Sequence, residues 1–162
     1  MPEVRFMVPG APRTKKNSGS VKTLTIKGKR RKIHMPSEAW LTWRDIVMLH
    51  KARILDEIRR QAGVPRTWQP PIAWDVNCRA LFYRDANRGD AVGYYQGLAD
   101  VLQEIGVVKD DVFIVSWDGS RMLKSATAPH VEVVLEWDGP VLLRNPFEEP
   151  KHMAFDAITR VA

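Results

Sequence analysis

Residues 72–82 read "IAWDVNCRALF". Ile72, Trp74, Val76, Cys78, Ala80 and Phe82 recur at every second position, with mostly polar partners between them. A period of two is the side-chain alternation of a strand with one covered face. That face must pack on another layer, so helices elsewhere in the chain are its expected cover. Cys78 lies on the apolar face and reads as core packing rather than redox chemistry.

Two helical patterns flank this strand. Before it, Trp40, Trp43, Val47, Ile54 and Ile58 are spaced by threes, fours and sevens, with Ser37 as the natural N-cap and Gly63 as a C-terminal stop. After it, Val92, Tyr95, Leu98, Ala99, Leu102 and Ile105 form an apolar stripe, and Gly106 ends the pattern. Gly93, Gln96, Asp100 and Gln103 fall on the opposite side. An opening strand is expected from the alternation in "EVRFMVP" (3–9), and further strands in "VFIVSW" (112–117) and "HVEVVLEW" (130–137). The stretch "VKTLTIKGKRRKIHM" (21–35) suits a hairpin turning near Lys27-Gly28. The expected fold is therefore α+β, a single domain with a mixed β-sheet and two main helices. It spans residues 1–137, with a surface extension over 138–162.

The chain has 162 residues, of which 44% are hydrophobic and 27% charged, an ordinary globular composition. No apolar run is long enough for a membrane span. The first residues lack the basic-then-apolar layout of a secretory signal. One cysteine excludes an internal disulfide and a cysteine zinc cluster. A cytoplasmic location is expected. Net charge is +6, unevenly spread: residues 1–37 hold ten Lys or Arg against the single acid Glu3. A basic arm within residues 10–36 on a nearly neutral body suits a polyanionic partner, or else a solvated loop.

The usual motifs of serine hydrolases, P-loop proteins and zinc proteases are missing, and His34, His50, His130 and His152 lack metal-ligand spacing. The carboxylates are more suggestive. Asp85 and Asp90 lie between the strand and the second helix, and Asp110 and Asp111 lie just beyond that helix. A helix of about 15 residues separates its ends by roughly 22 Å. The two acidic groups can meet only if "VVKDD" (107–111) folds back along the helix, and five extended residues reach roughly 16 Å. Clustered carboxylates repel each other and attract a hard cation. Mg²⁺ takes one or two of them, keeps waters and bridges to phosphates. The plainer alternatives are that Asp90 caps the helix and Asp110-Asp111 forms a turn.

Residues 88–111, "RGDAVGYYQGLADVLQEIGVVKDD", resemble the signature of RusA-type Holliday-junction resolvases, common in phages and prophages. The family pattern is Asp-x-Asp-Asn at a helix start, a Lys on its first turns, a Leu-Asp-x-Leu-like segment, a closing Gly and a later Asp-Asp. "VPGAPRTKKNS" (8–18) and "HMPSEAWLTWRDIV" (34–47) resemble the family's opening loop and Ser-capped first helix. The resemblance covers roughly residues 3–137. It implies a homodimer with an α+β fold that cuts four-way DNA junctions with Mg²⁺, Mn²⁺ being a possible substitute. By position, Asp90 and Asp111 match the first and last catalytic acids and become the expected metal ligands. Asp110 and Asp100 match the neighbouring and the helical acid. Val92 stands where a second Asp belongs, Gly93 where Asn does, and Gln96 where the Lys does. Asp85 or Asp100 then supplies the missing carboxylate; otherwise the protein binds DNA without cutting. Lys15, Lys16, Asn17, Lys27, Lys29, Arg30, Arg31 and Lys32 are the expected phosphate contacts, which position a duplex without reading bases.

Overall fold

The computed structural model describes residues 3–15, 20–61, 71–86 and 89–138. The alternating run around Cys78 forms β4, Val76–Arg84. It lies in a five-stranded mixed sheet with β1 (Glu3–Pro9), β5 (Ile114–Ser116), β6 (Arg121–Lys124) and β7 (His130–Glu136). The order is β1-β7-β4-β5, and β6 also pairs with β4. β7 is antiparallel to both β1 and β4, whereas β5 and β6 run parallel to β4.

Alternation then sorts the side chains. Val4, Phe6 and Val8 of β1, Val131, Val133 and Leu135 of β7, and Val76, Cys78, Ala80 and Phe82 of β4 are all buried. Their neighbours Arg5, Arg79 and Glu136 carry charge on the other face, where Arg79 pairs with Glu136 at 3.0 Å. Burial pushes the Cys78 thiol far above its ordinary value, so it stays a neutral apolar group. The cover is helical, as an α+β domain requires: α1 (Glu38–Leu49), α2 (Lys51–Gln61) and α3 (Ala91–Glu104) supply Trp40, Trp43, Val47, Ile54, Ile58, Leu98, Val101 and Leu102 to the same core.

Four expectations change. The strand expected over 112–117 is a 3-10 turn, Asp111–Phe113, followed by the short β5. The first helix is two, broken at His50. The His50 amide turns to the Val47 carbonyl, and its Nδ1 takes the Ile46 carbonyl at 2.9 Å, which an unbroken helix would give to that amide. β4 starts at Val76 rather than Ile72, and Ile72 instead forms an isolated parallel bridge with Val108. The stripe of α3 keeps Leu98, Ala99, Leu102 and Ile105 buried but is rotated at its start: Val92 is 61% exposed and Tyr95 half-buried, while Tyr94, Gly97 and Val101 are buried. Gly63 and the extension beyond Asp138 lie outside the described residues.

The free edge of β1 is closed by a side chain. The amide of Gln61 accepts from the Arg5 amide at 2.8 Å and donates back to the Arg5 carbonyl. It stands in for a strand and protects an edge that would otherwise pair with another chain. β2 (Ser20–Ile26) and β3 (Lys29–Met35) form a separate two-stranded ribbon. Its turn places Lys27 and Gly28 at φ 50° and 76°, the left-handed pair that matches strand twist in a tight hairpin. Among the described residues, no helix is long and apolar enough to cross a membrane.

Trp40 and Trp43 are core residues, as expected. Each is buried, and each indole N–H is satisfied: Trp40 donates to the Gly97 carbonyl at 3.2 Å and Trp43 to that of Pro9 at 3.0 Å. Trp40→Ala removes a packed indole and leaves a cavity between α1 and α3. It is expected to destabilise the domain by about 3–5 kcal/mol, measured by urea unfolding.

Candidate active site

The site is built on a strap, Arg13–Lys15, that crosses α3. Small residues make the crossing possible. A Cβ added at Gly97 would stand 2.6 Å from the Arg13 carbonyl oxygen. One added at Gly93 would meet the Asp90 carboxylate at 2.8 Å and the Thr14 side chain at 3.0 Å. Positions i and i+4 lie on one helix face, so the two glycines form a seat, Gly97 for the Arg13 carbonyl and Gly93 for the Thr14 side chain.

Several bonds hold the strap there. The Ser37 hydroxyl accepts from the Trp40 amide at 3.1 Å, as an N-cap does, and donates to the Thr14 carbonyl at 3.1 Å. The Ser37 amide donates to the Lys15 carbonyl at 3.2 Å. Arg13 forks onto both oxygens of Asp85 at 2.6 and 2.7 Å. That hydrogen-bonded guanidinium holds the Asp85 carboxyl below its ordinary range. Asp85 is thereby committed to the strap and does not line the cavity described next.

Lys15 ends the strap over α3. Its Nζ lies 2.9 Å from Asp100 Oδ2 and 5.0 Å from the centre of the Trp40 ring. A cavity of about 560 Å³ opens here, lined by Lys15, His34, Met35, Pro36, Gln96, Asp100 and Asp111. Asp111 arrives by the return loop. After Gly106, at φ 77°, the amides of Val107 and Val108 bond back to the Leu102 carbonyl. Ile72 then clamps the loop, with its amide on the Val107 carbonyl and its carbonyl on the Lys109 amide. Asp110 caps the short 3-10 turn Asp111–Phe113 through the Val112 amide at 3.1 Å. Asp111 is held above the ordinary carboxyl range, first by its hydrogen bond with the Asp110 side chain, then by burial and by the charges of Asp110 and Asp100.

The expected acids therefore divide. Asp100, Asp110 and Asp111 come together at the return loop. Asp90 caps α3, its Oδ1 accepting from the Gly93 amide at 2.7 Å, and does not line the cavity. The ten residues from Asp90 to Asp100 rise by roughly 15 Å along the helix, so the loop meets the helix at its middle rather than at its start. Among the described residues, no three His, Cys, Asp or Glu side chains assemble into a metal-ligand group.

Lys27, Lys29, Arg30, Arg31 and Lys32 are exposed on the ribbon, and Lys16 and Asn17 lie outside the described residues. Strand register puts Arg30 and Lys32 on one ribbon face, opposite Thr25 and Thr23, and Lys29 and Arg31 on the other, opposite Ile26 and Leu24. His34 and Met35, at the ribbon's root, line the cavity.

Arg13, Thr14, His34 and Gly97 were not identified from sequence. The available signal was Gly93 and Gly97 four apart in a helix, which is unfavourable unless something packs against it. Gly97→Ala adds a better helix former by about 1 kcal/mol, yet its methyl meets a backbone carbonyl. A net loss of roughly 1–3 kcal/mol is expected, read as a lowered urea midpoint at unchanged slope.

Compared with protein-family models and with curated proteins, the chain matches none.

Proposed function

We propose that this chain is a Mg²⁺-dependent, structure-selective endodeoxyribonuclease that hydrolyses phosphodiesters in branched DNA as a homodimer. One observation carries the reading. Asp100 and Asp111 share one cavity with the ammonium of Lys15 at the root of a ribbon that bears six cations and no acid.

The donor set fits a hard cation of this kind. The donors are carboxylate oxygens. Asp111 resists ionisation first through its hydrogen bond with Asp110, then through burial and the charges of Asp110 and Asp100, and a divalent charge would relieve that last, repulsive part. Mg²⁺ needs only one or two protein carboxylates when waters and phosphate oxygens complete its shell. Asp111 and Asp100 would hold it, with Asp110 beside them; Mn²⁺ suits the same oxygens. When bound, such an ion supplies Lewis acidity toward a phosphate and lowers the pKa of a bound water. The chain's own groups do the rest. Asp111 and Asp100 orient the reacting centre, Lys15 brings positive charge, and the Gln96 amide can donate to an uncharged or anionic oxygen. The ribbon cations hold the flanking backbone electrostatically. A two-fold dimer would present one site to each of two opposed strands of a junction. Action on DNA is compatible with the cytoplasm.

A second reading has its own support. Asp90 serves as a helix cap, Val92 offers no ligand atom, and Gln96 has no charge. A protein that grips junctions without cutting them would keep the ribbon and strap and make little use of the carboxylates.

The test is to incubate the protein with a synthetic four-way junction or a linear duplex, with Mg²⁺ or with EDTA. Paired nicks on the junction that vanish in EDTA are expected. A stable complex without nicks selects the second reading, and no preference for the junction overturns both. Asp111→Asn is expected to abolish nicking while sparing binding. It should also raise Tm at neutral pH. The folded-state pKa of Asp111 is raised, so its favourable, protonated contribution is present below the unfolded pKa and lost as pH rises through the folded one. The thermal advantage of Asp111→Asn over the native chain should therefore shrink as the pH is lowered through the carboxyl range.

A further inference from the structure

The charge in the cavity is unfinished business for any phosphodiester. Asp100, Asp111 and Lys15 sum to one negative charge, the same sign as the substrate. A divalent cation turns that sum to one positive charge. Without Lys15 the sum would reach only zero. Asp110 nearby adds a further negative charge, so Lys15 is what keeps the loaded site from repelling a phosphodiester, although it comes from a loop and not from α3.

Its placement is specific. The strap carrying Lys15 is seated on Gly97, tied to Ser37 and braced by Arg13 on Asp85. The backbone of Lys15 is thus fixed, and the freedom left to it is that of its flexible four-carbon stem. The ammonium lies 2.9 Å from Asp100 Oδ2 and 5.0 Å from the Trp40 ring centre. The two side chains are 32% and 27% exposed, so this is a part-exposed pair of modest strength that can be exchanged. Gln96 lines the same cavity, as does His34 at the ribbon root, and brings no charge of its own.

We propose that Lys15 is the site's built-in, displaceable counter-ion. It neutralises Asp100 until a divalent cation takes that carboxylate, and then turns its ammonium to a non-bridging phosphate oxygen of the substrate. This rests on the phosphodiesterase reading for its second half only. The first half is a competition between an ammonium and a metal ion for one carboxylate, and it has a consequence of opposite sign. Removing Lys15 should strengthen metal binding while it weakens cutting. A residue with a merely structural role would lower both.

The full-length chain is titrated with Mn²⁺ alone by calorimetry, as the native protein and as Lys15→Met, Lys15→Gln and Lys15→Arg, with circular dichroism as the check on folding. Lys15→Met and Lys15→Gln are expected to bind Mn²⁺ roughly two- to fivefold more tightly, the size of a part-exposed ion pair. They should cut a four-way junction at saturating Mn²⁺ at least about tenfold more slowly, as for a lost electrostatic donor. Lys15→Arg should restore both values toward native. Mn²⁺ binding by the native chain without nicking would sink the nuclease reading and leave the competition to be read from affinity alone. Unchanged or weaker Mn²⁺ binding in both neutral variants, or no Mn²⁺ binding by the native chain, overturns the proposal.

Discussion

The backbone of Arg13–Lys15 lies directly on α3, and much of the domain is arranged around that contact. An α-helix normally keeps a crossing chain away by the width of its side chains. Gly93 and Gly97 remove that width on one face, so the Thr14 side chain packs against Gly93 and the Arg13 carbonyl comes within 2.6 Å of where a methyl at Gly97 would stand. Trp40 fills the remaining space and donates to the carbonyl of Gly97 itself. Ser37 uses one hydroxyl for two purposes, capping α1 and bonding the strap. One packing constraint thereby couples the start of α1, the middle of α3 and the loop after β1.

That coupling has an electrostatic result. The strap delivers two cations, and each meets a different acid. Arg13 takes both oxygens of Asp85 in a forked pair, which removes Asp85 from other chemistry. Lys15 pairs with Asp100 through one ammonium contact, lies over the Trp40 ring and remains part-exposed. A planar guanidinium suits a fixed structural brace, and a compact ammonium on a flexible stem suits exchange. The acids nearest the return loop are left in excess, and Asp111 is held above the ordinary carboxyl range by its hydrogen bond with Asp110, by burial and by the charges of Asp110 and Asp100.

Much of this architecture was legible in the sequence. Period-two runs located β1, β4 and β7, and the spacing of apolar residues located the helices, because a covered sheet and an amphipathic helix leave periodic traces. The Lys27-Gly28 turn was legible for the same local reason, the left-handed backbone it demands. The break at His50 was not, since the apolar stripe continues through it without a change of phase, and only the competing ring contact to Ile46 marks it. The burial of Tyr94, Gly97 and Val101 was missed because the stripe was drawn through Val92 and Tyr95, and Gly97, with no side chain, leaves no trace in an apolar pattern although it is buried under the strap.

The acidic residues show where local reasoning ends. Sequence by itself determined that a helix separates Asp90 from Asp110 and Asp111, that a loop after Gly106 is long enough to return, and that positive charge gathers in the first 37 residues. These follow from short-range geometry and from composition. Only the tertiary structure decided which acid the loop would reach. The Ile72 clamp and the buried Val107 and Val108 halt the loop beside Asp100, while Asp90 stays bound to the free amide of Gly93. It also decided that Lys15 would join the acids, because a strap can sit there only where two glycines and a tryptophan from distant parts of the chain make room for it.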